Sequence, residues 1–347
     1  MRLVNARACP RPRAPRGGRP RLPGAAVITA GLALLAAGCH VIGTSAGGAA
    51  GSQQITVAVV PGFADAPLQV AVKDGLFTSE HLTVTVQTYQ TLAQAYAGLT
   101  SGQADVISGD YAGLLYTQAR SSPHTRLRLV ADGYDAAPGT MAVLTLPGSA
   151  ITSPQSLQGQ AVATPPAALA PFSVNAPYNI ETLAAEAVLQ SDGVSPSSVQ
   201  WKAMDPASMI SALRDHTVSA IVATEPYILQ AETQLGAVQL IDACSGVTAS
   251  LPLSGYFTTE GFARDHATAL RGFQGALNQA KENTAQFGTV QAVLRTLPGM
   301  SSRDASLVTI GQYPAFLSVG QVQRVADLMY STGMITNTVP VKNLIFK

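Results

Sequence analysis

From residue 54 onward, short apolar runs rich in β-branched residues alternate with segments of helical periodicity. Strands are predicted at residues 55–60, 82–89, 105–108, 127–131 and 141–146, and helices at residues 67–77, 92–101 and 111–120. This order of strands and helices predicts an α/β fold, with a mainly parallel sheet that carries helices on both faces.

The same pattern starts again near residue 161. Strands are predicted at residues 161–164, 199–203, 218–223 and 238–241, and helices at residues 179–190, 208–214 and 227–235. Beyond residue 262 the prediction is mainly helical, at residues 267–286, 290–297, 303–312 and 319–332. The chain is therefore expected to contain two α/β units followed by a helical return.

Two segments, one from each predicted unit, have similar sequences. Residues 97–111 and residues 211–227 each contain a helix end, a polar turn, a short apolar strand, and then an acidic residue followed by a tyrosine. The similarity indicates either two lobes of the same build or a chance likeness between segments rich in small residues.

Parallel α/β sheets bind their ligands beyond the carboxyl ends of the strands, where the next helices begin. Loops at such positions contain the candidate ligand-binding residues Phe63, Asp65, Asp110, Tyr111, Thr164, Asn179, Glu225 and Tyr227. Two such rims facing one another would form a cleft that can close around a small polar molecule. For the acidic residues Asp110 and Glu225 the competing interpretation is helix capping, and for the two tyrosines it is packing in the core or at the rim.

The N-terminal segment has the features of a secretory signal. Seven arginines and no acidic residue precede an apolar run at residues 25–37, which ends just before Cys39. As a helix this run would span about 20 Å, less than the roughly 30 Å hydrocarbon core of a bilayer. The cysteine after small residues resembles the bacterial lipoprotein processing site, which implies a signal peptide at residues 1–38, a lipid on Cys39 and a flexible tether at residues 39–53. The alternative is an ordinary signal peptide or an uncleaved anchor.

Cleavage after residue 38 would change the charge of the chain. The seven arginines leave with the signal, so 14 of the 21 basic residues remain against 20 acidic ones, a net charge of −6 instead of +1. This charge disfavours nucleic acid as a partner. Only Cys39 and Cys244 would remain as cysteines, so no internal disulfide is expected, and no spacing of Cys or His predicts a metal site.

Five motifs occur in an order that is typical of one family of binding proteins. They are residues 73–77 (KDGLF), 101–106 (SGQADV), 109–110 (GD), 156–163 (SLQGQAVA) and 225–227 (EPY). Together they resemble the solute-binding lipoproteins of nitrate-, sulfonate- and taurine-type ABC transporters, a family that includes carriers of thiamine-pyrimidine precursors. The resemblance extends over about residues 54–334.

The resemblance implies a two-lobed, periplasmic-binding-protein-like fold of type II with the ligand cleft between the lobes. Lobe I would comprise residues 54–148 and 250–347, and lobe II residues 149–249. The implied function is that of an extracytoplasmic, lipid-anchored monomer that captures a small polar organic solute by hinge closure and delivers it to an ABC permease subunit. The solute would be sulfonate-, nitrate- or taurine-like, or aminopyrimidine-like, and no cofactor is implied.

Some residues depart from the family pattern. His216 stands where the second-lobe repeat usually has glycine, and the prolines at residues 165–166 remove N–H donors that an anion would use. The three carboxylates of Asp65, Asp110 and Glu225 fit amino or hydroxyl groups better than a bare sulfonate or nitrate.

Two other functional classes compete with the transport function. The family's fold also occurs in a pyrimidine-synthesising enzyme, but its Cys-rich motif is absent from this sequence, as are a Gly-x-Ser-x-Gly motif, a phosphate-binding loop and a His-Glu-x-x-His motif. We therefore expect no catalysis. The other alternative is a binding protein that serves a membrane sensor instead of a permease.

Overall fold

A computed structural model describes residues 53–120, 126–166, 179–297 and 299–347 of the chain, which belong to one compact unit. The predicted signal peptide, the lipid site Cys39 and nearly all of the predicted tether lie outside the described residues. Within the described part of the chain, no helix is both long and apolar enough to span a bilayer.

Strands and helices alternate through most of the described chain. The strands are β1 (Gln53–Val59), β2 (Leu82–Thr88), β3 (Val106–Asp110), β4 (Leu127–Asp135), β5 (Met141–Thr145), β6 (Ala161–Thr164), β7 (Gln200–Ala203), β8 (Ala220–Thr224), β9 (Val238–Asp242) and β10 (Pro252–Thr259). The α-helices are α1 (Ala66–Lys73), α2 (Leu76–Ser79), α3 (Leu92–Thr100), α4 (Tyr111–Arg120), α5 (Ile180–Ser191), α6 (Pro206–Arg214), α7 (Tyr227–Leu235), α8 (Glu260–Asp265), α9 (Ala267–Asn283), α10 (Phe287–Leu294) and α11 (Val319–Ser331).

The strands form two five-stranded sheets of the same topology. The first has the order β2-β1-β3-β10-β4 and the second the order β7-β6-β8-β5-β9. In each sheet four strands run in the same direction, and one strand (β10 or β5) runs antiparallel to both of its neighbours. The predicted α/β fold with two lobes of one build is therefore confirmed.

Strand β5 belongs to the second sheet, whereas the predicted lobe limits placed its residues in lobe I. The expectation assigned residues 54–148 to lobe I, but β5 hydrogen-bonds to β8 and β9 and thus lies in the second sheet. The chain crosses from the first sheet to the second before Met141, where β5 begins. Strand β5 is fully buried and completes the second sheet. The return crossing lies beside the first one, since the amide of Ala136 donates to the carbonyl of Leu251. The remaining lobe limits stay a prediction.

The predicted helix at residues 303–312 is wrong. A single 3-10 turn forms at Asp304–Ser306, and Gln312 then makes a bridge to Asp135 at the end of β4. Two of the intervening amides donate outside the segment, that of Thr309 to Glu225 and that of Gly311 to the Tyr134 hydroxyl. Because these amides are taken by tertiary partners, they are not available for a helix.

Apolar side chains cover both faces of each sheet. On β1, Ile55, Val57 and Val59 pack on one face of the first sheet, and Ala58 packs on the other. The second sheet is covered on its two faces in the same way. Burial on both faces explains why the strands are short, nearly continuous apolar runs, and it leaves the strand ends as the positions where polar side chains can meet.

Candidate ligand-binding cleft

The strand ends and helix starts of the two sheets enclose a cavity of about 870 Å³. The first sheet contributes the loops after β1 and β2 and the end of β3, and the second contributes the start of α5 and the end of β8. Residues on its wall include Phe63, Gln90, Asp110, Glu181, Glu225 and Tyr227. The volume lies within the usual range for sites of small organic molecules.

Four of the predicted site residues line this cavity: Phe63, Asp110, Glu225 and Tyr227. Phe63 begins a short 3-10 helix that leads from β1 into α1, and its carbonyl accepts a hydrogen bond from the Tyr313 hydroxyl. Tyr227 is half-buried at the first position of α7. That these residues bind a ligand remains a prediction.

Asp110 lies between the starts of two helices. Its Oδ1 accepts from the amide of Gly113 in α4 at 2.8 Å, and its carboxylate also interacts electrostatically with the amides of Ala112 and of Ile180, the first residue of α5. Burial, with a further contribution from the nearby Glu181, raises the pKa of Asp110 to about 7, and the three amides oppose this shift. One carboxylate of the first lobe thus lies at the start of a helix of the second.

Glu225 also joins parts of the chain that are distant in sequence. Its Oε2 accepts from the amide of Leu229 in α7, and its Oε1 accepts from the amide of Thr309, both at 3.1 Å. Burial raises the pKa of Glu225, and the two amides oppose the shift. The helix-capping interpretation therefore holds for both acidic residues, while each also borders the cavity.

Asp65 does not line the cavity. Its side chain is 3% exposed, and its Oδ1 accepts a hydrogen bond from the hydroxyl of Ser108 at 2.8 Å. Burial raises its pKa to about 7, against the effects of Ser108 and the Gly62 amide. The 3-10 turn directs this carboxyl inward behind Phe63, so Asp65 supports the loop from beneath.

Tyr111 is a core residue. Its ring is fully buried and meets Phe257 edge-on, and its hydroxyl donates to Oδ1 of Asp132 at 2.8 Å. The ring lies directly against Gly255, where a Cβ would approach the hydroxyl to 2.6 Å. Of the two interpretations of Tyr111, packing in the core is therefore the one that the structure shows.

Thr164 and Asn179 hold the start of α5 and do not line the cavity. Asn179 is the N-cap: its Oδ1 accepts from the amide of Thr182 at 2.7 Å, and its Nδ2 donates to the carbonyl of Pro165. A hydrogen bond of 2.6 Å joins the hydroxyls of Thr164 and Thr182. These contacts fix the helix start that presents Glu181 to the cavity.

Glu181 is the wall residue that sequence reasoning missed most clearly. It is half-buried at the second position of α5, and burial raises its pKa. An acidic residue in the first turn is common in helices of any function, so the residue type alone did not indicate that Glu181 lines a cavity. Its place after β6, at the same rim as Thr164, was the available indication. In the described part of the chain, no group of His, Cys, Asp and Glu is arranged to hold a metal ion.

Two sheets of equal topology, with a cavity between their strand ends, define a two-lobed periplasmic-binding-protein-like fold. The model of the NMT1/THI5-like family matches residues 63–286. The chain belongs to this family. None of the curated proteins compared with the chain matches its sequence.

Solved structures with the same fold include several transport proteins. The periplasmic aliphatic sulphonate binding protein SsuA of Escherichia coli is 16% identical with a TM-score of 0.68, covering 85% of this chain and 97% of its own. The ligand binding component of an ABC-type import system of Staphylococcus aureus, solved with zinc bound, is 14% identical with a TM-score of 0.68, covering 84% and 96%. The periplasmic nitrate-binding protein NrtA of Synechocystis PCC 6803 is 12% identical with a TM-score of 0.66, covering 84% and 84%.

Proposed function

We propose that this protein is the substrate-binding component of an ABC importer and captures a small polar organic solute between its two lobes. The observation that carries the proposal is the cavity whose wall combines Phe63 and Asp110 of one lobe with Glu181 and Tyr227 of the other. A solute that touches both walls binds the closed arrangement more tightly than the open one and so shifts the population toward closure. The permease would recognise the closed form.

The similarity to known proteins supports this function. The relatives of the same fold are described as binding proteins for sulphonate or nitrate and as a component of an import system. The binding protein would work outside the cytoplasm, as a monomer held at the membrane by a lipid on Cys39.

An enzymatic function is less well supported. Among the described residues that line the cavity there is no Cys, His or Lys, and the one serine, Ser254, has no histidine beside it on that wall. A nucleophile needs an adjacent base within hydrogen-bond reach. The cavity instead combines aromatic rings with carboxylates, a set that supports binding without a reaction.

A thermal-shift screen of the full-length chain, purified in mild detergent, tests the proposal. A broad panel of small organic solutes, with sulfonates, nitrate and aminopyrimidines among them, is expected to contain at least one that raises the melting temperature. Stabilisation by no member of the panel would contradict the function.

A matched pair of phenylalanine variants locates the site. Phe63→Ala removes an aromatic wall of the cavity and is expected to weaken the binding of such a solute about tenfold in calorimetric titrations. Phe316→Ala removes a ring that is 79% exposed and does not line the cavity, so it should leave the affinity unchanged. Equal effects of the two substitutions would place the solute elsewhere.

A further inference from the structure

The charge of the cavity wall is one-sided. Asp110, Glu181 and Glu225 line it, whereas no Lys, Arg or His does so among the described residues. The sequence of residues 167–178, between β6 and α5, contains no basic residue either. Binding of an anionic group in a half-enclosed site normally relies on basic side chains, on free amides at helix starts, or on both.

The carboxylate of Asp110 already lies beside the amides that an anion would need here. The carboxylate of Asp110 accepts from the amide of Gly113 in α4 and interacts electrostatically with the amides of Ala112 in α4 and Ile180 in α5. The protein therefore supplies its own anion at the point where the two helix starts converge. A sulfonate or nitrate at this point would have to displace Asp110 and would face the carboxylate of Glu181 at close range.

The rest of the wall suits an apolar body that carries a cation. Phe63, Tyr89, Tyr227 and Met300 offer apolar and aromatic surface, and an aromatic face attracts a cation placed over it. Ser254 borders the same cavity and is 8% exposed.

We propose that this cleft selects solutes that carry a protonated nitrogen, an ammonium or amidinium group, on a small apolar body. Asp110 and Glu181 form the cation-binding pair, one from each lobe, and the cation draws the lobes together by relieving the repulsion between the two carboxylates. This inference rests on the proposed solute-binding function and names the class of its solute.

Three probes with the same phenylmethyl body separate charge from shape: benzylammonium, benzyl alcohol and phenylmethanesulfonate. Titration calorimetry on the full-length chain at pH 8 keeps Asp110 largely ionised, since its pKa is raised to about 7. Benzylammonium is expected to bind about tenfold or more tightly than the alcohol, as a partly buried charge-assisted contact would give. The sulfonate is expected to bind more weakly than the alcohol.

Three variants locate the effect. Glu181→Gln and Asp110→Asn keep the size of the side chain and remove the charge, so each is expected to weaken benzylammonium binding about tenfold and to leave benzyl alcohol within about twofold. Asp192→Asn changes an exposed carboxylate at the opposite end of α5 and should change neither affinity. Glu181→Gln is the decisive variant, because Asp110 also caps α4.

The outcomes separate this inference from the proposed function. Binding of the sulfonate or the alcohol as tightly as the ammonium, or an ammonium affinity unaffected by Glu181→Gln, would overturn the cation selectivity and leave a solute-binding protein of another class. Failure of the whole solute panel to stabilise the protein would overturn both.

Discussion

At the scale of single residues, Asp65 shows how a carboxyl predicted to bind ligand can instead affect the stability of the loop that carries the site. It is buried and keeps one side-chain hydrogen bond, from Ser108. Burial disfavours its charged form, which raises its pKa from the usual 3.8 to about 7. In the unfolded chain this shift is absent, so the ionisation of Asp65 opposes folding.

We expect Asp65→Asn to remove a pH-dependent part of the stability. Between pH 4 and 7 the folded chain holds the Asp65 proton more tightly than the unfolded chain, so this residue's contribution to stability falls as pH rises through that range. The asparagine has no charge and still offers an oxygen to Ser108. The variant's advantage in unfolding free energy, measured by urea titration, should grow by on the order of 2 kcal/mol from pH 5 to pH 8. The exposed Asp74→Asn serves as control, and a constant difference for Asp65→Asn would contradict the assignment.

The sequence predicts which loops border the cavity, but not which side chains of those loops point into it. The order of strands places the loops that hold Phe63, Asp110, Glu225 and Tyr227, and all four line the cavity. Asp110 and Tyr111 are consecutive, yet one borders the cavity and the other lies in the core. Neighbouring residues at a helix start differ by about 100° in direction, and the sequence does not determine which of them faces the ligand.

At the scale of elements, the two similar segments form the same turn. After α3 the amide of Gly102 donates to the carbonyl of Leu99, and the next two amides, of Gln103 and Ala104, both donate to the carbonyl of Gly98. After α6 the amide of His216 donates to the carbonyl of Leu213, and the next two amides, of Thr217 and Val218, both donate to the carbonyl of Ala212. Asp105 and Ser219 then donate to the neighbouring strands of their sheets. The likeness between the segments therefore reflects a common structure. The one costly difference is His216, which has a φ of 54° where Gly102 has 77°.

We expect His216→Gly to stabilise the protein. A left-handed conformation costs a non-glycine residue about 1–2 kcal/mol, which exceeds the entropy cost of glycine in the unfolded chain. The unfolding free energy from urea titration should rise by about 0.5–1 kcal/mol. The matched substitution in the first lobe, Gly102→Ala, should lower it by about 1 kcal/mol. A loss of stability in His216→Gly would show that the imidazole makes a compensating contact.

At the scale of the whole molecule, local patterns predicted the two α/β units, because buried strands and amphipathic helices have different periods. They could not predict that β5 completes the second sheet and β10 the first, since such pairings join residues far apart in sequence. The same limit explains the false helix at residues 303–312, whose amides bind Glu225 and Tyr134. Long-range contacts therefore determine both the pairing of β5 and β10 and the absence of a helix at residues 303–312.

The proposed membrane attachment depends on one sulfur atom, that of Cys39, and can be tested by removing it. Cys39→Ser removes the proposed lipid-bearing thiol and is expected to move the protein from the membrane fraction to the soluble one, with solute affinity unchanged. Cys9→Ser changes the other cysteine of the N-terminal segment, upstream of the apolar run, and should leave the protein in the membrane fraction. Membrane retention of Cys39→Ser would favour an uncleaved apolar anchor at residues 25–37. Because stable attachment by lipid requires more than one acyl chain, mass spectrometry of the wild-type N-terminal peptide should find Cys39 at the new N-terminus with at least two chains.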